Sequence, residues 1–103
     1  MGKDELVAWA LKNGWRMLDG LPSLTKPGRP KDAIVRLALK ATVVNLEIRK
    51  PSGKWEKVAG AGYADIHADP DTGMPRGLGL VSIPGITKLM QDNKDSQVFG
   101  KLG

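Results

Sequence analysis

Seven residues in the middle of the chain have the types and spacing to meet a polyanion: Arg36, Lys40, Arg49, Lys50, Lys54, Trp55 and Lys57. Cations attract phosphate, and an aromatic ring among them offers a face on which a nucleobase stacks. This interleaving suits single-stranded or structured RNA. The seven belong to a wider segregation of charge. From Lys12 to Lys57 there are eleven basic residues against four acids (Asp19, Asp32, Glu47, Glu56), a local +7 in a chain of +5. Residues 1–11 and 58–103 each sum to −1. The sequence pI of 9.7 meets the usual threshold for a nucleic-acid footprint. A competing reading makes the charge a solubilising surface and Trp55 a core residue or a cross-strand partner of Tyr63.

Other chemistry is poorly provided for. His67 is the single histidine, and no serine lies in a nucleophile-elbow context around which a triad could form. Asp65, His67 and Asp69 alternate, with Asp71 behind, so a strand would turn three ligand-type side chains one way. Pro70 stands where a calcium loop needs glycine and the closing glutamate is missing, so the pattern is expected to be an ordinary strand end and turn. Gly73, Gly77 and Gly79 lack the Lys-Ser/Thr of a phosphate loop and read as a flexible loop. The chain is therefore expected to be non-catalytic, without a metal centre or a cofactor.

The elements that must carry the basic residues follow from periodicity. Asp4 to Asn13 predicts a helix, with acids at its start and Leu6, Val7, Ala10 and Leu11 on one face. Gly14 suits its left-handed exit. Asp19-Gly20 predicts a hairpin between Trp15–Leu18 and Leu21–Leu24, with Pro22 placing the second arm at an edge. Pro27, Gly28 and Pro30 predict a basic loop over Lys26–Lys31.

From Ala33 to Lys50 the apolar residues alternate at Val35, Leu37 and Leu39, then change parity to Val44, Leu46 and Ile48. One long strand bent by a bulge near Ala41–Val44 accounts for that change. It buries Val35, Leu37 and Leu39 and leaves Arg36 and Lys40 outside. A helix over Asp32–Ala41, giving a winged-helix layout, is the alternative. Trp55–Val58 returns after a Pro51–Lys54 turn, Tyr63–Ala68 makes a further strand, and Asp69–Gly73 turns into a last strand around Leu78–Val81. Ser82 and Pro84 open a closing helix to about Asp92, with Ile86, Leu89 and Met90 inward.

The fold class expected is α+β: an N-terminal helix, an antiparallel sheet of three or four strands, and a C-terminal helix packed on it. Residues 1–92 would form one domain and residues 93–103 a frayed tail. Hydrophobic residues at 41% suffice for one modest core, and no apolar run approaches a membrane span. The acidic start at Asp4-Glu5 is unlike a signal peptide, and the absence of cysteine fits a reducing cytoplasm. The helix ending in Lys12-Asn13-Gly14-Trp15, followed by a strand meander and a closing helix, resembles the α-β-β-β-α layout of HicA-type RNA-cleaving toxins and double-stranded-RNA-binding domains. HicA toxins carry a catalytic histidine in a Gly-Ser-His segment soon after that corner. Asp19–Leu24 here has none, so the resemblance implies the layout and puts the ribonuclease activity in doubt. The function expected is RNA binding ahead of DNA binding. A protein-interaction module or homodimer is the alternative.

Overall fold

A computed structural model describes residues 1–26 and 28–99; the expectations for Pro27 and for residues 100–103 lie outside the described residues. Helix α1 spans Lys3–Lys12, and the Glu5 carboxylate accepts the Gly2 N–H at 3.4 Å. Leu6 and Ala10 are buried on its inner face. Gly14 follows at φ +91°, and a Cβ there would sit 2.4 Å from the Met90 carbonyl oxygen. Only glycine fits that corner. The turn delivers Trp15 into the core against Trp9, with ring centroids 6.2 Å apart.

Five antiparallel strands follow as a meander: β1 (Arg16–Leu18), β2 (Leu21–Lys26), β3 (Arg29–Leu39), β4 (Val43–Arg49) and β5 (Trp55–Gly62), in that spatial order. The α+β class holds, and the sheet has five strands rather than three or four. The extra strand comes from residues 33–50, which form a hairpin and not one bent strand. Lys40 N–H donates to Val43 O at 2.9 Å, and Leu39 pairs with Val44. Paired residues of a hairpin share a face, so the four-residue connection from Leu39 to Val44 moves the inward set from odd to even numbers. A bulge produces the same parity change, which is why sequence periodicity does not separate the two. Val35, Leu37, Val44 and Leu46 are buried as alternation requires, whereas Leu39 is only half-buried and Ala38, of the opposite parity, is buried.

Two further corrections concern β2. Pro22 lies in an interior strand, not an edge, because the ladder to β3 begins only at Ser23↔Arg36 and the proline falls at its end. The expected loop over Lys26–Lys31 is instead two strand ends, Lys26 pairing with Arg29 across the turn. The register of β2 on β3 slips on both sides of Thr25.

The remaining segment differs from its expected strands. Tyr63–Asp65 is a single 3-10 turn, and β6 (His67–Ala68) pairs with β7 (Pro75–Arg76) across the Asp69–Gly73 turn. Leu80–Ser82 is a second 3-10 turn where a strand was expected. Gly77 and Gly79 are packing positions rather than loop lubricant: a Cβ at Gly77 would lie 2.6 Å from the Asp65 carbonyl oxygen. Ile66, Leu78 and Leu80 from this segment join Leu6, Trp15, Leu24, Leu37 and Leu46 in one core on the inner face of the sheet. Among the described residues, no helix is long and apolar enough to cross a membrane.

Helix α2 spans Ile86–Phe99, so residues 93–99 of the expected tail are helical. Ser82 does not cap it; its hydroxyl donates to Gly79 O. Asn93, placed in the tail by its polarity, is 4% exposed and faces Thr25 of β2. Asn93 Oδ1 accepts from Thr25 N at 2.9 Å and Thr25 Oγ1 at 3.2 Å, while its Nδ2 donates to Thr25 O at 2.8 Å. Gln97 Nε2 donates to Gly14 O at 2.7 Å, tying the same helix to the α1 corner. Truncating Asn93 leaves a buried peptide N–H and C=O without partners. Asn93→Ala is expected to cost ~2–4 kcal/mol in urea unfolding; a cost under ~0.5 kcal/mol would fit a frayed tail instead.

Candidate nucleic-acid interface

The outward face of the sheet carries a row of polar residues in register: Arg16, Ser23, Arg36, Glu47 and Lys57. Arg36 is held from two sides. Its Nε donates to Glu47 Oε1 at 2.7 Å, and its guanidinium carbon lies 3.9 Å from the centre of the Trp55 ring. The pair is largely shielded, with side-chain exposures of 27% and 17% for Arg36 and Glu47. Trp55 is thus neither a core residue nor a partner of Tyr63, whose hydroxyl donates to Lys40 O. It is a half-buried ring with a cation stacked on it.

The other basic residues collect at one end of the sheet. The β2–β3 and β4–β5 turns lie side by side there, because Val35 pairs with Ile48 and Arg49 therefore sits beside the start of β3. Between them runs a groove of about 420 Å³ lined by Lys26, Arg29, Arg49 and Lys50, with Asp32 on its wall. Around the corner on the outward face, a concavity of about 180 Å³ is lined by Lys31, Arg36, Arg49, Trp55 and Asp19. The acids nearby neutralise little. Arg29–Asp32 is a 3.9 Å contact with both side chains more than half exposed, and Lys50–Glu56 spans 3.5 Å at the surface. Ion pairs of this kind contribute ~0–1 kcal/mol and compete weakly with a phosphate. Among the described residues, Lys26, Lys31, Arg49 and Lys54 have no carboxylate within 4.0 Å.

The structure thus brings together Arg36, Arg49, Lys50 and Trp55, with Lys54 on the same β4–β5 turn. Lys57 lies on the outward face, its stem against Gly60. It does not bring in Lys40. That residue is in the β3–β4 turn, at the opposite end of the sheet from Arg49. Six strand residues at ~3.3 Å each separate the two levels by roughly 20 Å. One bent strand over residues 33–50 gives Lys40 and Arg49 the same polar face; the hairpin places them at opposite ends of the sheet. Missing from the seven are Lys26, Arg29 and Lys31, which the sequence marks only as a basic loop.

The Asp65/His67/Asp69 alternation is broken by the 3-10 turn at Tyr63–Asp65. Asp69 is engaged locally, accepting the N–H groups of Asp71 at 2.8 Å and Thr72 at 3.1 Å and pairing with Arg76 at 2.6 Å. Those backbone donors first, and the Arg76 charge after them, hold its carboxyl below the usual 3.8. No cluster of three or more His, Cys, Asp or Glu side chains suited to a metal occurs among the described residues.

Comparison of the chain with family models, with characterised proteins and with experimental structures gives no match. The five-stranded sheet also departs from the three strands of the α-β-β-β-α layout that the Asn13-Gly14-Trp15 corner resembles.

The two cations on either side of the distinction have opposite signatures. Arg36→Gln removes a shielded hydrogen-bonded ion pair and a ring contact, and is expected to cost about 1–2 kcal/mol in chemical denaturation. Lys40→Gln should stay within ~0.5 kcal/mol. Equal, negligible effects would show that Arg36 does not order Trp55.

Proposed function

We propose that this chain is a small, non-catalytic nucleic-acid-binding domain, RNA ahead of DNA, that engages a single strand at the basic end of its sheet. One observation carries the reading: two turns separated in sequence, around residues 26–31 and 49–54, set Lys26, Arg29, Arg49 and Lys50 about one open groove. Folding concentrates cations against their mutual repulsion, and a polyanion relieves that repulsion. A flexible strand follows a groove that turns a corner, whereas duplex DNA resists bending over ~150 bp. Single-stranded loops and ends are also the form in which RNA is mostly read. The lack of cysteine suits a reducing, cytoplasmic setting.

A protein-interaction module or homodimer is favoured by a different observation. Val81 is 80% exposed at the rim of a concavity that also contains Met74, Pro75 and Leu80. The sheet edge is less suited to self-pairing, because the register of β5 on β4 slips at Val58 and the bulge disrupts a flat template. Gel filtration at low and high salt separates the readings. Nucleic acid that co-purifies and is lost at high salt supports the first, and a salt-resistant dimer supports the second.

Binding to a generic RNA or single-stranded DNA oligonucleotide should weaken steeply with salt. At about −0.7 per neutralised phosphate, four engaged cations give a slope of log K on log salt near −3. Replacing Arg29, Arg49 and Lys50 together by glutamine should flatten it by about 2 while leaving the melting transition in place. An unchanged slope, or no affinity for any strand at low salt, would refute the proposal.

A further inference from the structure

Resting on the nucleic-acid reading, we infer that the site reads the phosphate backbone along a path that turns at Arg49, and leaves the bases unread. Arg49 is exposed and lines both the sheet-end groove and the outward concavity. Among the described residues it is the one cation common to the two. A strand laid across it places successive phosphates first among Lys26, Arg29 and Lys50, then beside Lys31. A single phosphate meets only part of that set, so the ligand class is a polymer and not a mononucleotide.

The second half of the inference comes from Trp55. Its ring is the aromatic group of the patch, and the Arg36 guanidinium already lies 3.9 Å above it. Glu47 holds that guanidinium in place through a 2.7 Å hydrogen bond. A base stacking there must displace both contacts. The cation–π pair and the Glu47 bond engage Arg36 and block the ring from a base. Stacking on this ring, one source of sequence selectivity, is thereby closed off.

The test compares two fluorescein-labelled strands of equal length by anisotropy at low salt: a twelve-nucleotide oligothymidylate and a twelve-unit abasic deoxyribose-phosphate strand. Base stacking adds roughly fivefold to 150-fold in affinity per base. The abasic strand is expected to bind within fivefold of the thymidylate. Arg49→Gln should weaken both by the same factor, and by more than Lys54→Gln does, with unchanged melting curves. A loss of fivefold or more on removing the bases overturns the inference and leaves the nucleic-acid reading standing. Failure of both strands to bind overturns the two together.

Discussion

Beyond Ser23, β2 has no strand on its β1 side, since β1 pairs with it only from Arg16↔Ser23 to Leu18↔Leu21. The register with β3 slips at the same place. Thr25 is buried there, and its peptide N–H and C=O would be orphaned were Asn93 not bonded to both. A buried unpaired peptide group costs about 1–3 kcal/mol, a large part of the stability of a domain this size. The carboxamide offers a donor and an acceptor in one plane, as a neighbouring strand would. Helix α2 therefore takes the position of a missing strand segment. Gly14 makes this possible, because any side chain there would collide with Met90 of the same helix.

That contact reaches the surface chemistry through β2. Holding Thr25 fixes the last residues of β2, and Lys26 follows directly, opposite Arg29. The β3–β4 ladder then sets Arg49 and the β4–β5 turn beside them. Six cations (Lys26, Arg29, Lys31, Arg49, Lys50, Lys54) thus share one end of the sheet with two exposed acids, Asp32 and Glu56. Their repulsion is tolerable because the groups are solvated and screened. The interior of the sheet face follows another rule. There Arg36 is shielded, and Glu47 and Trp55 compensate it. Cations at the end stay available, and the one on the face is spent on order.

How far the sequence reveals this depends on the range of each interaction. The N-terminal helix, its Gly14 exit, the Asp19-Gly20 turn and the Asp69–Gly73 turn are local, and local patterns find them. The burial of Val35 and Leu37 beside an outward Arg36 is legible from period-two alternation. Topology is not. One parity change is compatible with a bulge or a reversal; the bulge reading has one strand too few and misses that the β3–β4 turn sets Lys40 at the opposite end of the sheet from Arg49. Asn93 was illegible for a different reason: a buried amide and a solvated one look alike in sequence, and its partner is 68 residues away. Of the basic patch, the β4–β5 cations and Trp55 are readable as a cluster. The contribution of Lys26, Arg29 and Lys31 needed the adjacency of two turns, which only the assembled sheet provides.

Amide chemical-shift mapping tests most directly whether the basic end of the sheet is the proposed interface. Titrating the isotope-labelled chain with a twelve-nucleotide oligouridylate should shift the amides of Lys26, Arg29, Lys31, Arg49, Lys50 and Lys54. The amides of Lys40 and of residues 72–88 should stay in place. Shifts concentrated around Met74, Leu80 and Val81, with the two basic turns silent, would contradict the account.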